Sequence, residues 1–232
     1  MSPRLLVAGN LLRIYRPVAL WFWSLMIVGI AVAMTVLASV TDPPVSLWLV
    51  VAGAAAKYWV GVVGVLVVSM NLRQFVANGI TRRDFLAGAA LAGVLAAVLF
   101  SVAVPLGHEA EQLLLGGFGP VTGRYPATSL GTGLRELGHI LPASLAFLVT
   151  GAAGTAGFYR YGAWGGLALL PLAVLPVAAA EALLGVDEHG GFDARLVPYA
   201  AAVLVTLTVT ALVGLLVHLE LRDVAIRRGA PA

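Results

Sequence analysis

The chain has 232 residues, of which 60% are apolar and 11% charged, with a formal net charge of +3 and no cysteine. That balance excludes an ordinary soluble domain, and the missing cysteine excludes disulfides, thiolate metal sites and thiol nucleophiles. What remains is an all-α, polytopic membrane protein. Apolar runs of about 20 residues recur, each able to cross roughly 30 Å of hydrocarbon, and backbone groups in lipid must bond within a helix.

In chain order, residues 4–16 come first. At about 100° per residue, Asn10, Arg13 and Arg16 share one face and Val7, Leu11, Ile14 and Tyr15 the other. This predicts an amphipathic helix lying in the membrane interface, broken by Pro17 where the chain turns into the bilayer. Six spans follow, at 18–40, 47–70, 85–106, 140–158, 163–184 and 196–219. The first is too long for a cleaved signal peptide and lacks a small-residue cleavage site, so it is read as retained. Trp21, Phe22, Trp23 and Trp48 stand at span ends as interfacial anchors. Residues 1–232 are read as a single membrane domain.

Charge sets the orientation. With six spans, both ends and the second and fourth loops share one side, which carries Arg4, Arg13, Arg16, Arg73, Arg82, Arg83, Arg160, Arg222, Arg227 and Arg228. The other side carries only Arg124, Arg135 and Arg195, with most of the acids. Positive residues accumulate in the cytoplasm, which places both termini there. Insertion and anionic headgroups account for the basic side, so it calls for no nucleic acid.

Between the second and third spans lies the most polar segment. The second helix is expected to run to about Ala77, stopped by Asn78-Gly79, with Thr81 capping the next helix and Asp84 three residues on. The resulting elbow is expected to present Phe75, Ile80, Arg82, Arg83 and Phe85. Exposed aromatics beside arginines have the composition of a protein-docking surface. Equally, the arginines serve as topogenic charges and the phenylalanines as interfacial anchors.

Other constellations are thinner. Lys57 is the one lysine and falls within a span, about 24 Å above Arg73. It either snorkels to the headgroups beside Tyr58 and Trp59, or marks a pathway and pairs with Glu181. The acidic side holds His108, Glu109, Glu111, His139, Asp187, His189 and Asp193, but no His-Glu-x-x-His pattern, and is read as two solvated acidic loops rather than a zinc site. A short helix over 109–115 is expected within the long loop 107–138. Small-residue stripes at Ala89, Gly93, Ala97 and Ser101, and at Ala153 and Gly157, are read as seams within the chain. There is no Gly-x-Ser-x-Gly elbow and no paired intramembrane aspartate. No catalytic constellation emerges.

The run Asn78-Gly79-Ile80-Thr81-Arg82-Arg83-Asp84-Phe85-Leu86-Ala87-Gly88 resembles the elbow between the second and third spans of bacterial type-2 ATP-binding-cassette (ABC) transporter permeases. The six-span layout and the leading amphipathic helix are similar to that family too. The resemblance implies a multi-pass subunit of the bacterial cell membrane, in export more often than import. It implies that Phe75, Gly79, Thr81, Arg82, Arg83, Asp84 and Phe85 dock a separate ATP-binding subunit, with Tyr159, Arg160 and Tyr161 as a smaller second contact. The chain carries no Gly-x-x-x-x-Gly-Lys-Ser/Thr loop of its own, so ATP and magnesium are expected on that partner. A second permease copy or homologue is expected to complete the pathway. Rival classes are a non-transporting scaffold or sensor and a small membrane enzyme.

Overall fold

A computed structural model describes residues 2–40, 45–117, 128–185 and 197–222. They form α1 (Pro3–Val40), α2 (Leu47–Leu66), a π-helical turn (Val67–Asn71), α3 (Leu72–Ala77), α4 (Arg82–Gly116), α5 (Leu130–Leu184) and α6 (Tyr199–Arg222), with no strand among the described residues. Taking 47–77 as one stretch, five helices are long and apolar enough to cross a membrane. Their outer surface is hydrocarbon: Trp21, Leu25, Leu99 and Leu113 are 64–79% exposed. Such a surface suits lipid rather than water.

At 55 residues α5 would extend about 80 Å if straight, but Gly162 breaks it with φ 75° and ψ −167°. That backbone region is open to glycine and to almost nothing else. The two limbs fold back on each other. Gly157 meets Gly166 and Leu169, Ala153 clusters with Ala173, and Ala143 and Ala146 with Ala180. The expected helices 140–158 and 163–184 lie in these limbs, and the first begins earlier, at Leu130, where Ser129 and Thr132 cap each other.

The centre of the bundle is α2, α4 and the first limb of α5. Side chains on Gly64 or Gly151 would collide with the opposing backbone at Leu148 and Gly61, so α2 and α5 touch almost backbone to backbone. On α4, Gly93 packs against Leu148 and Ser101 Oγ lies 3.3 Å from Ser144 Oγ. The small-residue stripe of α4 therefore faces α5. Val213 of α6 packs on the hairpin at Ala153 and Ala173.

Three expectations are corrected. The helix does not end at Pro17: α1 runs unbroken for 38 residues. Proline removes one backbone bond, and a long helix packed on both sides of it retains the rest. Nor does the apolar face of 4–16 rest on lipid alone. Val7 and Leu11 are fully buried in a cluster with Leu72, Phe75 and Phe85, while Ile14 points outward at 45% exposure. The 109–115 stretch is likewise no separate helix, because α4 continues through it to Gly116. Pro105 and Gly107 stand just before it, and α4 carries both within its length.

Candidate functional site

The elbow is built by a stop and a start four residues apart. Gly79 takes φ +85°, which lets its amide donate to the Val76 carbonyl and the Ile80 amide donate to the Phe75 carbonyl, both at 3.1 Å. This is a Schellman closure, and its usual apolar contact is present, since Ile80 packs on the cluster that holds Phe75. Thr81 then caps α4: the Asp84 amide donates to Thr81 Oγ1 at 3.2 Å, and Thr81 Oγ1 donates to the Asp84 carboxylate at 2.8 Å. Arg4 Nε donates to the other Asp84 oxygen at 3.0 Å, tying the start of α1 to the elbow. Hydrogen bonds from Thr81 and Arg4 hold the Asp84 carboxyl below the usual carboxylate range.

The elbow's aromatics are not presented to a partner. Phe85 is fully buried and Phe75 nearly so, with ring centres 5.5 Å apart. Antiparallel return of α4 along α3 presses the two rings together, and Val7 and Leu11 of α1 cover them. They fasten the turn from inside. The exposed tip is polar instead: Arg73, Gln74, Asn78, Gly79, Thr81 and Arg83 are exposed, and Arg82 and Asp84 partly so.

A π-helical turn precedes the elbow, which no sequence signal announced. It carries Asn71 inward to 5% exposure, where Tyr15 donates a hydrogen bond to its side-chain oxygen. A wide turn of this kind inserts one residue into the register, which is how a polar side chain reaches the buried side of an otherwise apolar helix.

The second basic bend lies at the same end of the bundle. Tyr159 packs against the cluster that holds Phe75 and Phe85. Arg160 donates to the Glu220 carbonyl in the last turn of α6, and its guanidinium stands 5.3 Å from the Tyr161 ring centre. A cation suits the unsatisfied carbonyls at a helix C-terminus. Tyr161 and Trp164 project outward, at 49% and 86% exposure.

Toward the acidic end, Lys57 Nζ lies 2.6 Å from Glu181 Oε1, joining α2 to the second limb of α5. Above it is a buried polar layer. His108 Nδ1 and Glu136 Oε1 are 2.7 Å apart, joining α4 to α5. Glu111 accepts from the Trp48 amide at 3.0 Å and from Ser46 Oγ, which joins α4 to the start of α2. The reading of these residues as solvated loops is corrected: His108, Glu111, Glu136 and His139 are all at most 6% exposed, because the helices extend past the expected span ends and enclose them. Glu109 is exposed, and Asp187, His189 and Asp193 lie outside the described residues. Among the described residues, no group of three or more such side chains is placed to hold a metal.

No protein-family model, curated protein or solved structure matches this chain.

Proposed function

We propose that this chain is the membrane-spanning subunit of an ABC transporter, with six spans, both ends in the cytoplasm and an exporting role. The sixth span comes from counting the two limbs of α5 separately. A separate ATP-binding subunit, carrying ATP and magnesium, seats on the elbow, and a second permease copy or homologue completes the pathway.

The observation that carries this reading is the construction of the elbow. A free loop would absorb a push, whereas this turn is closed by a Schellman motif, capped by Thr81 and fastened by Phe75 against Phe85. Its core cluster includes α1 through Val7 and Leu11, α5 through Ala156 and α6 through Leu221. Displacement of the tip therefore reaches three further helices at once, which is what a coupling element requires. The docking surface is the polar tip, centred on Arg83 with Arg73, Thr81 and Arg82, and the second bend adds Arg160 and Tyr161 beside it.

The test is co-purification with an ATPase encoded by a neighbouring gene. Changing Arg82 and Arg83 together to Glu is expected to cut recovery of the ATPase at least tenfold while the permease still inserts and purifies normally. Undiminished association would remove the coupling role.

A further inference from the structure

We infer that the side of the bundle between α1 and α4 binds one anionic phospholipid, with its phosphate on Arg16 and its acyl chains along an aromatic-floored groove. The two helices run parallel and meet at both ends, through Val7 against Gly88 and Met34 against Leu115. Between these contacts Trp23 of α1 reaches Phe100 of α4, and beside that contact the short side chains of Ala19, Ala31, Ala96 and Ala103 leave a gap at the surface. The gap is a lateral groove of about 760 Å³, in the size range of small-molecule sites.

Its floor is aromatic. Trp59 stacks on Phe100 with ring centres 4.9 Å apart at 26°, and Trp23 closes on the same ring at 5.2 Å. Water has no polar partners on such walls, so hydrocarbon fills the space.

Charge selects which hydrocarbon. Arg16 and Glu111 are the two charged side chains that line the groove, one near each end. Glu111 already accepts from Ser46 and the Trp48 amide. Arg16 is exposed, and no carboxylate among the described residues pairs with it. A guanidinium at the mouth of an apolar groove matches a phosphate diester followed by acyl chains. From Arg16 to Ile27 the helix rises about 16 Å, a length that an acyl chain can follow along the groove. The orientation proposed above turns the Arg16 end of the groove toward the cytoplasm; the site itself does not depend on an ATPase.

The five tryptophans make the site readable. Replacing exposed Trp21 and Trp164 by Phe leaves Trp23, Trp48 and Trp59, all of which line the groove. This variant is reconstituted into phosphatidylcholine vesicles with rising fractions of phosphatidylglycerol or phosphatidylcholine brominated on the acyl chains. Tryptophan quenching by the brominated phosphatidylglycerol is expected to reach its midpoint at a roughly fivefold lower fraction, the worth of one arginine facing anionic lipid. Arg16→Gln and Arg16→Glu should abolish that preference, while Arg13→Glu, exposed on the same helix but outside the groove, should keep it. Ala103→Phe should reduce quenching by both lipids. Equal quenching by the two lipids, or a preference that survives Arg16→Glu, would overturn the inference.

Discussion

The pair Lys57–Glu181 is asymmetric, and the asymmetry is measurable. Lys57 is 12% exposed and Glu181 42%, so the lysine depends on its partner far more than the carboxylate does. The ammonium also stands 5.6 Å from the Phe147 ring centre, a weaker second support. Removing the carboxylate strands a nearly buried cation, whereas removing the lysine leaves a carboxylate that can still meet water. Glu181→Ala is therefore expected to cost about 2 kcal/mol of bundle stability and Lys57→Met less than about 1 kcal/mol. The double change Lys57→Met with Glu181→Leu should recover most of the loss. Reversible unfolding in mixed micelles checks the order. Equal costs for the two single variants would show that the lysine reaches solvent without Glu181.

At the scale of elements, two glycines end helices in different ways. Gly79 has φ +85° at a Schellman closure, where asparagine is the usual substitute. Gly162 combines φ 75° with ψ −167°, a region that no side-chain-bearing residue enters cheaply. Neither site is crowded, since a Cβ at either would meet nothing within 4 Å. The difference is thus purely one of backbone strain. Gly79→Asn should cost a few tenths to about 1 kcal/mol, and Gly162→Asn about 1–3 kcal/mol, read from the same unfolding measurements. A harmless Gly162→Asn would mean that the bend tolerates a different backbone path. The elbow, by contrast, is held by several independent contacts: a cap, a Schellman turn, an ion pair and a pair of rings. Loss of any one should loosen it without opening it.

For the whole molecule, the hairpin decides the parity of crossings. A five-span reading would put the two ends on opposite sides, whereas counting both limbs of α5 puts them together. Because the chain has no cysteine, single cysteines can report this directly. In intact cells, cysteine at Gly79 should be protected from a membrane-impermeant maleimide, and cysteine at exposed Glu109 should be labelled. In inside-out vesicles the pattern should reverse. Cysteine at Ser2 should behave like that at Gly79, and labelling of both Gly79 and Glu109 from one side would refute the topology. The same architecture makes α1 the loosest member. It packs mainly on α4, with Phe22 and Trp23 also reaching Trp59 and Trp48 of α2, and the proposed lipid groove lies along that seam.

Legibility of this chain divides along a physical line. Helical class, the approximate spans, the Gly79 stop and the Thr81 cap are local properties of hydropathy, backbone conformation and short-range hydrogen bonding. They could be read from the residues alone. Burial of Phe75 and Phe85, the continuity of α1 through Pro17 and the enclosure of His108 and Glu136 depend on which helices come together. In a chain where nearly every residue is apolar, hydropathy cannot say which face of a helix meets protein and which meets lipid. The π turn that carries Asn71 inward and the near contact at Gly61, Gly64 and Gly151 left no periodic signal either. The sequence by itself determined the helical class and the stop and start of helices at the elbow. Only tertiary packing decided that the elbow's aromatics point inward and its arginines outward, because that choice is made by the helices covering them.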